Sequence, residues 1–333
     1  MTLAQLVVST VGPLVSIQDA GRFGRLRFGV TDAGPMDRLA HAAANLSIGN
    51  ARGATAIEVS VGGVALECRS GSVTVAVAGG GFVVQHASQT HTEWTAVTMR
   101  PGERLAVRPG GWGSWAYIAV AGTLDASMWL GSTSTHSASG FGGGVLTAGQ
   151  QLEIADARVE SDREGEIPLP DFARPPGRVR VVMGPQTQHF RDEATAAFVG
   201  RPYELTSAYD RMGVRLDGPA LPLRDVLSIP SEPIIRGSVQ VAGDGVPTVL
   251  LADHQTTGGY PKIATVVSAD IDAFAQQRPG EMVAFDPIDA ATAIDIARTT
   301  RPLVGDYLAT VAGAGRTLTH RLRLSNLISE AQI

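Results

Sequence analysis

Along this chain the hydrophobic pattern is mostly that of short strands cut apart by glycine and proline. Val73, Val75 and Val77 alternate with Ser72, Thr74 and Ala76, the period of two that sends one face of a strand into a core. Short apolar runs at 115–120, 179–183, 248–252, 263–267 and 282–285 are similar. Helical periodicity is rarer. Met36, Leu39, Ala40 and Ala43 share one face of a segment that Pro35 can open and Gly49 can close. A second helix is predicted from His189 to Phe198, stopping at Gly200, and a third begins after Ser268 with Ile271, Phe274 and Ala275 on one side. The pattern predicts a mainly β chain (α+β) with a few helices lying against its strands.

Residues 156–177 are charged and then proline-rich, with no apolar period. They read as a linker, at 158–177, between a first β-barrel domain at 1–157 and a second at 178–300, with 301–333 as a C-terminal tail. On either side of the linker one pattern recurs. Arg100-Pro101-Gly102-Glu103-Arg104-Leu105-Ala106-Val107 matches Arg278-Pro279-Gly280-Glu281-Met282-Val283-Ala284-Phe285. A turn feeding an apolar strand, placed alike in two halves, points to two related barrels.

Composition narrows the function class. With 44% hydrophobic and 18% charged residues the chain is globular rather than disordered. No apolar run approaches the roughly 18 residues of a membrane span. The N-terminal segment has no basic residue ahead of its apolar positions, which argues against a signal peptide and for the cytoplasm. A formal charge of −5 offers no basic face for nucleic acid. The single cysteine, Cys68, excludes an intrachain disulfide and reads as a small buried hydrophobe. The seven histidines show no metal-ligand spacing, and neither a phosphate-loop motif nor a Gly-x-Ser-x-Gly elbow is present.

Candidate chemistry centres on the one lysine among 27 Lys and Arg residues, Lys262, at the end of Gln255-Thr256-Thr257-Gly258-Gly259-Tyr260-Pro261-Lys262. An ammonium is a compact point charge, unlike a guanidinium fork, and the amide, hydroxyls and glycines before it can close donors around an anion or a carbonyl oxygen. The same residues also suit a turn between two strands. In the first half Asp19, Arg22, Asp37 and Arg38 form a charged group at a barrel mouth, with Ser132 in the Gly131–Thr135 run downstream. Asp37 at the start of a helix also suits the helix dipole without any ligand. In the second half Arg211, Glu232 and Gln240 place a guanidinium, an acid and an amide near strand ends, a set suited to a lactam or amide.

The segments Gln18-Asp19-Ala20-Gly21-Arg22, Gly34-Pro35-Met36-Asp37-Arg38, Asp210-Arg211-Met212-Gly213, Ser231-Glu232-Pro233 and Gln255–Ala264, in this order, resemble the biotin-dependent carboxyltransferase family. Its members include the C subunit of 5-oxoprolinase, the kinase-inhibitor antagonist KipA and allophanate hydrolase subunit 2. The resemblance implies two cyclophilin-like β-barrels and a KipI-like B subunit as partner. It implies a role in activating 5-oxoproline by phosphorylation, for ring opening to glutamate by the A subunit. ATP and Mg2+ are then expected at the level of the complex. Under it Lys262, Gln255, Glu232 and Asp37 are the expected catalytic residues. A regulator that binds a kinase inhibitor, or a carboxyltransferase half using carboxybiotin, are the alternatives. The chain has no Met-Lys-Met biotinylation motif, so biotin enters only under the last. Tyr209, Arg236, Thr133 and His136 depart from the family pattern, and Arg236 reads as a surface substitution more readily than as a specificity change.

Overall fold

Strands dominate the fold, as the apolar runs predict. It was obtained as a computed structural model that describes residues 2–224 and 228–313. The first half is built from two sheets around one core. Leu3–Val11 lies antiparallel between Gln151–Ala155 and Val64–Ser70 in a seven-stranded sheet. Trp115–Val120 lies between Val73–Ala78 and Ala56–Ser60 in a six-stranded one. Leu6, Val8, Leu66, Val75 and Ile118 are fully or almost fully buried in the core they share. The Val73–Ala78 alternation predicts one wet face, yet all six residues are buried. Both edges are paired, with Thr95–Met99 and Trp115–Val120, and helix α1 (Arg38–Ser47) packs on this strand. Small residues at Thr74 and Ala76 let that second face fill.

The second half is a closed seven-stranded barrel in the order Arg178–Met183, Lys262–Val266, Ser238–Val241, Pro247–Leu250, Gly213–Asp217, Tyr203–Tyr209 and Met282–Ile288. Its first and last strands close it by parallel pairing. Val179, Leu205, Val239 and Phe285 fill it, and Phe198 of helix α2 (Asp192–Gly200) stacks on Phe285 with centroids 4.5 Å apart. The third predicted helix is a single turn, α3 (Ile271–Phe274).

The repeated Arg-Pro-Gly-Glu motif makes one turn twice. Glu103 N donates to Arg100 O at 2.9 Å and Glu281 N to Arg278 O at 3.0 Å, with Gly102 and Gly280 at φ of 86° and 88°. Each is a proline-led turn whose third position needs positive φ. In both, the glutamate side chain returns to accept from the arginine amide.

Residues 158–177 have ordered roles in the first half. Gly165–Glu166 pairs with Thr95–Met99, and Ile167 and Ala173 are buried in the first core. Residues 301–313 belong to a long helix, α4 (Ala290–Gly313), whose Leu308 and Val311 are buried in that same first core. Residues 314–333, including His320, and Met1 lie outside the described residues. Among the described residues no helix is long and apolar enough to cross a membrane.

Candidate functional site

Lys262 opens its strand opposite Gln240, across a register shift that follows Val239. Its backbone is bracketed by one residue. Gln186 accepts from Lys262 N through Oε1 at 2.8 Å and donates its own N–H to Lys262 O at 3.3 Å. The Lys262 side chain is buried and its ammonium meets Glu232 Oε1 at 2.5 Å, an oxygen that Gln186 Nε2 also reaches. The bonds from Lys262 and then Gln186 hold the Glu232 carboxyl below its ordinary range, so it stays ionised. Glu232 is 38% exposed while Lys262 is 5%. The pair therefore opens to solvent on its acidic side. An ammonium has three donors. One goes to Glu232, and no protein acceptor takes the other two among the described residues.

The motif before the lysine mainly builds this setting. Thr257–Gly258 pairs with Glu232–Pro233, Thr256 O accepts from Ile234 N at 3.0 Å, and Gly259 O accepts from Ile229 N at 2.7 Å. These backbones hold the strand that presents Glu232. A Cβ at Gly258 would lie 2.4 Å from Ile234 Cδ1 and 2.9 Å from Gln240 Nε2, so glycine allows the close approach. Gln255 Nε2 donates to Gln240 Oε1 at 3.1 Å, and Gln240 Nε2 reaches Tyr260 O at 3.4 Å. Lys262, Glu232 and Gln186 thus form one hydrogen-bonded set, and Gln255, Gln240 and Tyr260 O form a second across the paired strand, with Thr257 and Tyr260 exposed. The sequence reading missed Gln186, since nothing in Gly184-Pro185-Gln186 signals that it will meet a strand so far along the chain.

The charged residues of the first half do not join that group. Asp19 is a loop clamp. Burial alone would push its carboxyl up, but Ser132 Oγ at 2.6 Å, Ser134 Oγ at 2.7 Å and the amides of Gly21 and Thr133 outweigh it and hold it low. Ser132 is spent on this clamp. Arg22 is 3% exposed, donates to Ser134 O, and lies over Trp129 at 4.9 Å. Its Nε and Nη1 have no hydrogen-bond partner among the described residues.

Arg211, read as a substrate-binding residue, is instead the tie between the halves. Its guanidinium is buried against Glu58 of the first half, Asp253 of the second at 2.9 Å, and Gly34 O at 2.7 Å. Asp253 also accepts from Ser137 N at 3.1 Å and Ser137 Oγ at 2.5 Å. Burial would raise the Asp253 carboxyl, and Arg211 together with the Ser137 bonds more than offsets this. Asp253, His254 and Gln255 are consecutive, so the chain passes directly from this seam to the lysine group.

Asp37, expected to be catalytic, is a buried helix cap. Its Oδ1 accepts from Ala40 N at 2.9 Å at the start of α1, and its Oδ2 from Gln276 Nε2 at 2.7 Å. Capping requires an acceptor at this position. Gln276 also accepts from the amides of Ser114 and Trp115 and donates to Trp115 O, much as a neighbouring strand would. Arg38 pairs with Asp272 at 2.9 Å. Arg236 does not fit a surface substitution: it is largely buried and donates to Pro35 O, Met36 O and Asp272. Tyr209 joins the same seam, accepting from Trp115 Nε1 at 3.0 Å and donating to Ala275 O. His136 and Thr133 stay in the first half, on Ser139 at 2.6 Å and Thr55 at 2.8 Å.

Two groups at α1, its cap Asp37 and His41 within it, give opposing pH dependences. Burial, with Asp272 nearby, raises Asp37 from 3.8 to about 7, so between those values the native state holds more protons and stability falls as pH rises. Burial lowers His41 from 6.5 to about 4, so across that window the unfolded state holds more protons and stability rises with pH. Between about 4 and 6.5 the two slopes offset each other. Urea midpoints at several pH values should therefore decline with pH for His41→Phe relative to wild type and climb for Asp37→Asn. Parallel profiles for all three proteins would refute both assignments.

Comparison with known proteins gives a consistent picture. The model of the carboxyltransferase domain, subdomain A and B, matches residues 28–287. The C subunit of 5-oxoprolinase from Haemophilus influenzae is 34% identical over 288 residues, covering 85% of this chain and 91% of that protein. The C subunit of 5-oxoprolinase from Escherichia coli is 32% identical over 283 residues, or 84% and 90%. Among solved structures, TTHA0988 superposes with a TM-score of 0.75 at 34% identity, over 85% of this chain, which spans only 55% of that longer one. The urea carboxylase of Kluyveromyces lactis shares the fold, with a TM-score of 0.80 at 22% identity over 92% of this chain and 29% of that one.

Proposed function

Because the chain belongs to the family of the carboxyltransferase domain, subdomain A and B, we propose that it is the C subunit of an ATP-dependent 5-oxoprolinase, acting on the lactam together with a B subunit partner. The observation that carries this reading is the buried Lys262 ammonium with two donors left over, held by an ionised Glu232 that also accepts from Gln186, with the Gln240–Gln255 pair on the paired strand and beside it. A lactam carbonyl is a poor electrophile. Its oxygen gains negative charge as the carbon is attacked, and loses charge to phosphorus if it is phosphorylated first. A fixed cation serves both situations, because it stabilises charge on the lactam oxygen or on the incoming phosphate without reorganising. Glu232 keeps the ammonium aimed. Gln255 and Gln240 supply the neutral donors and acceptors that fit a ring N–H and C=O.

ATP would supply the phosphoryl group in this scheme. Among the described residues no group of three or more His, Cys, Asp or Glu side chains converges on a metal position. Mg2+ carried on a nucleotide needs only one or two carboxylates, and Glu232 is the exposed carboxylate at this site. The roles of Lys262, Glu232 and the glutamines do not depend on where that ion binds.

Glutamate formation from 5-oxoproline with ATP and Mg2+ tests the reading, with this chain and the B and A subunits of the same genome mixed and each left out in turn. Turnover is expected only when all three are present. Full turnover without this chain would overturn it.

A further inference from the structure

Lys262 stands on the closed barrel, while Glu232 stands outside it, on the two-stranded sheet that Glu232–Pro233 forms with Thr257–Gly258. One side chain spans the two. The strand Arg178–Met183 pairs with Lys262–Val266 as far as Met183 opposite Ala264, and Gly184 N carries the ladder one bond further by donating to Ile263 O at 2.8 Å. Pro185 comes next and has no N–H to give. Gln186 then replaces the missing strand neighbour. A strand residue can exchange both its N–H and its C=O with one antiparallel partner. Lys262 does so with Gln186, whose backbone N donates to Lys262 O at 3.3 Å and whose side-chain Oε1 accepts from Lys262 N at 2.8 Å. The other end of that amide, Nε2, donates to the Glu232 oxygen that also holds the lysine ammonium.

An amide accepts at one end and donates at the other, which neither a carboxylate nor an amine can do. This position uses both ends. The buried Lys262 N–H requires an acceptor, and the ionised Glu232 requires a donor. Among the described residues the Glu232 carboxylate takes one hydrogen bond from Lys262 and one from Gln186. Without Gln186 an acid that is 38% exposed would be tied to the barrel strand through the ammonium alone. The ammonium would then follow the acid rather than face a fixed point. We infer that Gln186 is the positioning residue of the lysine site: it holds the lysine backbone and its counter-ion in one frame, so that the two free ammonium donors face one place. At 6% exposure it acts through Lys262 and Glu232 and not on the substrate. The inference rests on the reading of Lys262 as the charge that stabilises the lactam oxygen or the phosphate.

Two variants and one probe test it. Gln186→Met keeps the length of the side chain and removes both of its bonds. In the reconstituted enzyme it should lower kcat about 10²-fold and leave KM for 5-oxoproline within about threefold, the pattern of an interaction lost in the transition state alone. Gln186→Glu keeps an acceptor for Lys262 N but sets a second carboxylate against Glu232. When the introduced carboxyl takes up a proton, its C=O and O–H reproduce both ends of the amide. Like charges so close favour that protonation, so kcat relative to wild type should rise about tenfold between about pH 8 and about pH 6, while the ratio for Gln186→Met stays flat. The titratable groups next to this position are Glu232, Lys262 and His189 of the following turn, and all three are present in every protein compared. The pH rescue is read within one folded protein, so it stands even where Gln186→Met is unstable. Lys262 is the one lysine of the chain, so 15N-lysine labelling gives a single backbone amide signal, and its hydrogen exchange reads the Gln186 bond without any reaction. Exchange should be at least about tenfold faster in Gln186→Met than in wild type. An unchanged amide in Gln186→Met, a wild-type kcat in that variant, or a loss in Gln186→Glu that low pH does not relieve would each overturn the inference and leave the proposed function standing. Absence of turnover by the wild-type complex would remove the proposed function, and the amide signal, which needs no partner, would still decide whether Gln186 sets the lysine.

Discussion

Turnover by the reconstituted enzyme should fall about 10³-fold when Lys262 is replaced by alanine, with little change in folding. Removing one preorganised donor to a developing oxyanion typically costs a factor of 10²–10³. The ammonium also carries a full charge. Stability should move little, because Glu232 is 38% exposed and water can take over the bonds that Lys262 leaves. Lys262→Arg should recover only a small part of the loss. A planar fork cannot place a point charge in the space bracketed by Gln186 and Glu232. Glu232→Gln gives the complementary result. It strands a buried ammonium without its counter-ion, so this variant should lose both activity and stability relative to wild type. Steady-state rates over a pH series, with melting curves on the same samples, separate the three variants. A Lys262→Ala enzyme with wild-type kcat would remove the lysine from the chemistry.

The second large effect is on folding. Arg211→Met should destabilise the protein by about 3–5 kcal/mol, the usual consequence of breaking a buried charge network on one side. Glu58 and Asp253 are both fully buried, and neither could recruit water without parting the halves. The pH dependence should also weaken. In wild type the Asp253 carboxyl is held low, so its contribution is present above the unfolded value and is lost only as pH falls through the folded one. Without Arg211, burial is opposed only by the two Ser137 bonds, so the Asp253 carboxyl should rise and the variant should lose less stability than wild type as pH falls from 7 toward 5. Urea unfolding at the two pH values measures this. An Arg211→Met protein as stable as wild type, with an unchanged pH slope, would show that the network contributes nothing net.

The mainly β architecture was legible because apolar runs of strand length mark strands whichever face is buried. Three helices showed as stripes with end signals. α4 did not. Pro302 falls in its middle, and its inward residues Leu308 and Val311 serve the first-half core rather than the barrel beside it in sequence. The lysine motif pointed to the polar group because a solitary lysine among arginines is visible in one dimension. Its neighbours Glu232, Gln240 and Gln255 followed from proximity in the same half. Asp37 and Arg211 were misassigned for one reason. Their partners, Gln276 and Glu58, lie in the opposite half of the chain, and no local pattern distinguishes a charge that meets a ligand from one that meets a distant part of its own fold. Gln186 was missed for the same reason in reverse.

α4 also sets an order of events during synthesis. The face of α1 that α4 covers is made early, while Leu308 and Val311 leave the ribosome only after the entire barrel has been translated. A nascent first half therefore waits with an apolar helix face uncovered, and cannot reach its final stability domain by domain as the chain emerges. The second half is translated in full before the first is finished. Shielding of α1 by a chaperone over that interval, or slow aggregation of chains stopped before residue 290, is the cellular counterpart of a helix that closes the fold from its far end.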